Sequence, residues 1–138
     1  MTAKEYLQQY LDLENAIKTK EELRKRFEEN AENTTSLYGF NSSSSGKHPS
    51  DKVANNAVNA ADLEIEIADD IEKLIKLRAE IYHAIKSVND TQLQSILEKK
   101  YILGYTLEMI AVEMHYSYRQ VRRKHGRALK KICPCMSS

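Results

Sequence analysis

The sequence predicts an all-α protein in two parts, and three observations predict it. The 138 residues include only four glycines and two prolines, and 30% of them are charged. No stretch alternates β-branched and polar residues as a strand would. Apolar residues instead recur at spacings of three and four through two long segments and then through three short ones. We expect a long helical hairpin or coiled coil over residues 1–89 and a three-helix head over residues 90–138.

The first long helix is predicted over residues 3–30, approximately. Tyr6, Tyr10 and Ile17 lie on one apolar stripe, and no glycine or proline interrupts it. The next segment, about 31–50, is rich in Asn, Ser and Thr and holds two of the four glycines. Such composition is typical of a flexible loop, which at this length we expect to lie outside the main core.

The second long helix is predicted over residues 51–88, approximately, with Ser50 or Asp51 as its cap. A strict alternation of four and three residues runs through it, and nine of the eleven positions on this seam are apolar. The exceptions, Glu64 and Arg78, either fix the register of a partner helix or reach solvent. A seam this long needs a cover, which is either the first helix returning antiparallel or a partner chain.

Three short helices with turns of three or four residues follow, and this arrangement is typical of a helix-turn-helix unit. The expected boundary residues are Asp90 or Thr91 as the first N-cap, Gly104 as the first stop, and Thr106 and Ser117 as the later N-caps. His115 stands at the tight turn before the last helix. We expect it to adopt a left-handed backbone, which His tolerates better than branched residues do.

The segment "LEKKYILGYTLEMIAVEMHYSYRQVRRKHGRALKKI" resembles region 4 of sigma-70 factors and related helix-turn-helix proteins. The matching residues are Leu97, Tyr101, Gly104, Thr106, Ile110, Ala111, Ser117, Val121, Arg122, Arg123, Arg127, Ala128, Leu129, Lys130 and Lys131. The layout of the whole chain also resembles small phage and prophage regulators, of which the ArpU-type late-gene regulators are one kind. The resemblance implies a role in phage transcription.

The last helix carries the expected DNA contacts, because seven of the fifteen residues in "SYRQVRRKHGRALKK" are basic and none is acidic. The candidate DNA-binding residues are Ser117, Tyr118, Arg119, Gln120, Arg122, Arg123, Lys124, Arg127, Lys130 and Lys131. Arg119, Gln120 and Arg123 have the chemistry to pair with base edges in the major groove. Arg122, Arg127, Lys130 and Lys131 suit contacts with phosphates. Tyr118 suits a thymine methyl group or a phosphate.

Gly126 lies in the middle of this predicted helix, where glycine costs roughly 1 kcal/mol relative to alanine. It either lets the helix pack closely against Leu97 or Tyr101, or it bends the helix. A bend would move Lys130 and Lys131 away from DNA.

The sequence therefore predicts a sequence-specific DNA-binding transcription regulator. Its expected partners are double-stranded DNA and, through the hairpin, RNA polymerase, a phage or host regulatory protein, or a second copy of the chain. The alternative is a protein-interaction adaptor or anti-repressor whose head binds protein instead of DNA. No catalytic constellation or cofactor motif is present, so we expect neither an enzyme nor a cofactor.

Other features of the sequence bear on metal, membrane and compartment. Cys133 and Cys135 would need two further ligands for a structural zinc site, and we expect no metal there. The chain has no apolar run of membrane-spanning length and no secretion signal at its start. We therefore expect a cytoplasmic protein with reduced cysteines and no membrane partner.

Overall fold

Five α-helices make up the part of the chain that the structure describes, and that part contains no strand. The computed structural model describes residues 1–37 and 49–136, without the side chains of 31–37, 49–54, 56, 57 and 133–136. The helices are α1 (Ala3–Leu37), α2 (Pro49–Lys86), α3 (Thr91–Tyr101), α4 (Leu107–Met114) and α5 (Tyr118–Met136). The predicted all-α class is confirmed.

Both long helices differ at their ends from the prediction. α1 continues to Leu37, seven residues into the predicted loop, because Asn, Ser and Thr lower helix propensity without breaking a helix as Gly or Pro does. α2 begins at Pro49 and not at Asp51, since the fixed φ of proline suits the first helical position. Its predicted caps, Ser50 and Asp51, are therefore helical residues. The rest of the predicted loop, residues 38–48, lies outside the described residues.

The first of two compact units comprises Met1–Glu14 and Lys73–Ser138. Its larger core cluster joins the start of α1 and the end of α2 to α3 and α5. Residues of this cluster that are 0% exposed include Leu7, Ile81, Ile85, Leu97 and Tyr101. This core therefore extends across residue 89, where the sequence predicts a domain boundary.

A smaller cluster in the same unit fastens the three short helices to one another. Ile96 of α3, Ile110 and Ala111 of α4, and Val121 of α5 are buried together. α3 contacts both α4 and α5, and α4 contacts α5. The orientation of α5 is therefore fixed by its packing against α3 and α4.

The second unit, Asn15–Glu72, buries few apolar side chains among those described. Ile17, Ala60 and Ile67 are its buried hydrophobic residues. Ion pairs link its two helices, because the Lys20 Nζ lies 2.6 Å from Asp70 Oδ2 and an Arg24 nitrogen lies 3.5 Å from Glu64 Oε1. Asp70 and Glu64 of α2 are thus partly neutralised by bases of α1.

Candidate nucleic-acid interface

The turn before α5 is fixed by the backbone of His115. Its φ of 59° and ψ of 38° are left-handed, as predicted from the sequence. The amide of Tyr116 donates to the Ala111 carbonyl at 2.9 Å, and the His115 amide donates to the Val112 carbonyl at 3.3 Å. This pair of bonds is a Schellman ending, which satisfies the last carbonyls of α4 and reverses the chain toward α5.

A reciprocal pair of hydrogen bonds starts α5. The Gln120 amide donates to the Ser117 hydroxyl at 3.2 Å, and the Ser117 amide donates to the Gln120 side-chain oxygen at 3.0 Å. This is a capping box, and it confirms Ser117 as the N-cap. It also occupies the oxygen of Gln120, so the bidentate adenine contact expected of this residue requires the box to open.

The other expected caps are confirmed in the same unit. Asp90 accepts hydrogen bonds from the amides of Gln92 and Leu93 at the start of α3. The Thr106 hydroxyl accepts from the Met109 amide at the start of α4. Each cap satisfies amides that a helix start leaves without partners, so each fixes where its helix begins.

The buried side of α5 is a row of residues three or four apart. Val121, Ala128 and Ile132 are 0% exposed, and His125 is 8% exposed. These residues set which side of α5 faces solvent. A helix turns by about 100° per residue, so Arg119, Arg123 and Lys130 lie on the opposite side.

His125 is the one polar residue on this row, and it pairs with Tyr101 of α3. The Tyr101 hydroxyl lies 2.7 Å from His125 Nε2, and the two rings stack at a centroid distance of 5.7 Å. Burial, with the positive charges of Lys100 and Lys4, lowers the pKa of His125 to about 4. Burial raises the pKa of Tyr101 to about 12. Both rings are therefore neutral near pH 7, and they fix the contact between α3 and α5.

The solvent side of α5 carries an exposed basic face. We define this face by its bases: Arg119, Arg122, Arg123, Arg127, Lys130 and Lys131. None of the six forms an ion pair with a residue that the structure describes. Acidic residues of α3 and α4 pair with other bases, since Glu98 pairs with Lys86 and Glu113 pairs with Lys99.

The basic face works against the stability of its own helix. Arg119, Arg123 and Arg127 are spaced by four residues, and like charges at this spacing repel by a few tenths of a kcal/mol per pair. No acidic residue lies in the first turn of α5, where the helix dipole favours negative charge. The face therefore carries a net positive charge that no ion pair with a described acidic residue offsets.

Lys124, one of the expected DNA contacts, has partners within the chain. Its Nζ donates to the Gln92 side-chain oxygen at 2.6 Å and lies 4.2 Å from the centroid of the Tyr116 ring. These contacts turn Lys124 toward α3 and the turn before α5. They fasten α5 from the side, which is a role that sequence reasoning missed because the partner is 32 residues away.

Gly126 neither packs closely nor breaks the helix. A Cβ atom placed there meets no heavy atom within 4 Å, so the expected close packing against Leu97 or Tyr101 is wrong. α5 also continues without interruption through Gly126 to Met136. Lys130 and Lys131 therefore stay on the same helix as the bases of its first turns.

A second exposed surface, on α4, was not expected. Met109 and Val112 are 51% and 77% exposed, and they border a shallow groove with Tyr105, Glu108 and Glu113. The sequence gives little indication of this exposed surface. The buried residues of α4, Ile110 and Ala111, are next to exposed apolar residues in the chain. Burial there depends on which face meets α3 and α5.

A metal site finds no support in the part of the chain that the structure describes, where no three His, Cys, Asp or Glu side chains converge. The side chains of Cys133 and Cys135 lie outside that part. None of the described helices combines the length and apolar character that crossing a membrane requires. Searches of protein-family models, curated proteins and solved structures find no match to this chain.

Proposed function

We propose that the chain is a sequence-specific DNA-binding transcription regulator of the phage or prophage type, with α4 and α5 as its helix-turn-helix. The observation that carries the proposal is the basic face of α5. It has six exposed bases without described ion-pair partners, on a helix whose other side is packed against α3 and α4. A polyanion with regular spacing is the partner that such a face suits.

Different residues along α5 would contact the base edges and the phosphates of the DNA. Arg119 and Arg123 lie near the N-terminal end of the helix, where a recognition helix meets base edges, and each can donate two hydrogen bonds to a guanine. Arg122, Arg127, Lys130 and Lys131 flank them and suit phosphates. Tyr118, 45% exposed at the first position of α5, suits a thymine methyl group or a phosphate.

The two long helices would contact other protein chains. We assign α1 and α2, as a helical hairpin, to dimerisation or to contact with RNA polymerase or another regulatory protein. Double-stranded DNA is the partner of the head.

The test is binding to DNA fragments selected from the genome that encodes the chain. Fluorescence anisotropy with a selected fragment should give a log–log slope of affinity against salt of about −3.6 per head, from about −0.9 for each of four phosphate contacts. Absence of binding to every fragment at ~50 mM salt would overturn the proposal.

Specificity is tested separately with Arg119→Ala combined with Arg123→Ala. Loss of two base contacts should cost about 2–6 kcal/mol on the selected site and little on random DNA. The matched control is Lys25→Ala with Lys73→Ala, which removes the same charge from exposed positions on α1 and α2. Equal losses in the two double variants would contradict the base-contact assignment.

The second candidate function is a protein-interaction adaptor or anti-repressor, and the α4 surface favours it. Met109 and Val112 expose apolar side chains next to Glu108, which suits a partner segment with an apolar residue beside a base. Under this alternative, Met109→Lys with Val112→Lys abolishes regulatory activity in cells while Arg119→Ala with Arg123→Ala preserves it. Under the DNA-binding proposal, loss of the two arginines abolishes activity.

A further inference from the structure

α2 carries a second apolar stripe, and this one is exposed. Its large members are Val58, Ile65, Ile75 and Tyr82, which are 57%, 65%, 54% and 45% exposed. Between them stand Ala61, Ala68, Ala79 and the polar Glu72, all exposed. Consecutive members from 58 to 82 are three or four residues apart, in strict alternation. We call these eight residues the outer seam, because the other seam of α2 supplies its buried residues.

The outer seam has the spacing of one strand of a coiled coil. An alternation of three and four keeps every member on one side of a helix, and apolar members at this spacing insert between those of a partner helix. Because α2 is one uninterrupted helix, the seam runs for about 36 Å. Soluble monomers seldom leave so long an apolar surface in water.

The outer seam is complementary to itself when two copies run antiparallel. With the two-fold axis at the level of Asp70, Ile65 stands opposite Ile75 of a second copy, and Val58 stands opposite Tyr82. Ala61 then stands opposite Ala79, so in these three pairs large residues meet large ones and small residues meet small ones. A two-fold interface requires this property, since each surface patch must fit its own copy.

The charges beside the seam favour the same arrangement. Asp62 and Glu64 precede the axis, and Lys76 and Arg78 follow it. In the antiparallel register Asp62 lies beside Lys76 of the second copy, with an axial offset of about 3 Å. Glu64, which already pairs with Arg24 of its own chain, lies beside Arg78 of the second copy with the same offset. A parallel pair would instead place Glu72 on Glu72. Antiparallel pairing therefore joins opposite charges on either side of the axis and leaves one like-charge contact, between the two copies of Asp69, at the axis.

We propose that α2 pairs antiparallel with α2 of a second copy of this chain through the outer seam. Polar groups at the middle fix the register at some cost, because Glu72 faces Ala68 of the second copy and Asp69 faces its own copy. The inference goes beyond the proposed function by naming the occupant and the register. Its tests contain no DNA, so their outcome is independent of whether α5 binds DNA.

The first experiment measures association of the full chain by sedimentation equilibrium. Ile65→Lys with Ile75→Lys should weaken dimerisation at least tenfold, and circular dichroism should show unchanged helicity because both positions are exposed in the single chain. The control is Leu23→Lys, which places a charge at a 43% exposed apolar position on α1 and should leave association unchanged. Glu72→Leu should tighten the dimer, since it replaces a polar group in the seam with an apolar one.

The second experiment fixes the register with cysteines, in a background of Cys133→Ser and Cys135→Ser. Mixed chains, one with Ile65→Cys and one with Ile75→Cys, should form a disulfide-linked dimer under mild oxidation. Ile65→Cys alone should not. A strong disulfide dimer from Ile65→Cys alone would indicate parallel pairing and overturn the proposal. A monomer at every concentration, for the natural chain and for Glu72→Leu, would also overturn it.

Discussion

The two compact units of this chain differ in how many large apolar side chains they bury completely. The first unit, with α3, α4 and α5, buries large residues completely, among them Tyr101, Ile96 and Ile81. In the second unit, among the side chains described, Val58 and Ile65 are more than half exposed. Burial of a large aliphatic side chain contributes about 1.5–3 kcal/mol. The packing of its own side chains therefore contributes more to the stability of the first unit, while in the proposed dimer the second unit would gain stability from the partner copy.

The largest expected effect comes from comparing alanine substitutions at two isoleucines of α2. Ile81→Ala, at a 0% exposed position in the first unit, should cost about 4 kcal/mol of unfolding free energy, because the surrounding core leaves a cavity. Ile67→Ala, at a 6% exposed position in the second unit, should cost about 2 kcal/mol, since its thinner surroundings relax. Urea unfolding followed by circular dichroism measures both. Equal losses of unfolding free energy in the two variants would contradict the difference in packing between the two units.

Acid should weaken the first unit through His125. Its pKa is lowered to about 4 by burial in the folded chain, against 6.5 in the unfolded one. Between these pH values the unfolded chain binds the extra proton, so stability is full above pH 6.5 and is lost as the pH falls toward 4. At pH 5 the loss is about 2 kcal/mol.

The measurement is the difference in unfolding free energy between pH 7 and pH 5 for the natural chain and for His125→Gln. The variant lacks the titrating ring, so this part of the pH dependence should vanish. Hydrogen exchange locates the loss of stability, because amides of α3 and α5 should lose protection first as the pH falls. An unchanged pH dependence in the variant would show that other groups cause it.

A matched pair of glycine substitutions separates backbone effects from packing in the first unit. Gly126→Ala should stabilise the chain by about 0.5–1 kcal/mol, because a Cβ there meets no atom within 4 Å and alanine favours a helix. Gly104→Ala should destabilise it by roughly 1 kcal/mol, because Gly104 has a φ of +79°. Thermal unfolding distinguishes the two signs, and the same sign for both would refute this account.

The smallest expected effect is at an exposed apolar residue of the second unit. Leu23→Gln, at a 43% exposed position on α1, should change the unfolding free energy by less than about 0.5 kcal/mol. The measurement needs a protein concentration at which the chain is monomeric. A loss above about 1 kcal/mol would mean that Leu23 is covered in solution.

Features set by a few neighbouring residues were predictable from the sequence. Asp90, Thr106 and Ser117 cap their helices as expected, and His115 is left-handed as expected. Each cap depends on hydrogen bonds to amides two or three residues away, and the turn at His115 depends on bonds to the carbonyls of Ala111 and Val112. The local sequence therefore contains what decides these features. The ends of α1 and α2 were less predictable, because Asn- and Thr-rich sequence neither favours nor forbids a helix.

Features set by distant parts of the chain were not predictable. The sequence places Lys124 among the candidate DNA contacts, but its side chain bonds to Gln92, which lies on another helix. His125 stands among bases in the sequence, yet it is buried against Tyr101. The outer seam of α2 is visible as a pattern, but periodicity alone cannot say which of two apolar stripes on one helix is covered. That choice belongs to the packing of α1.

The basic face of α5 has a consequence for the free protein in solution. Arginines that repel one another attract small anions, so phosphate or sulfate in a buffer should gather on α5 and raise its melting temperature. If the chain binds DNA as proposed, the same anions leave the face when DNA binds, and their release favours binding most in dilute salt. The buffer conditions that most stabilise the isolated chain would then be those in which it binds DNA most weakly.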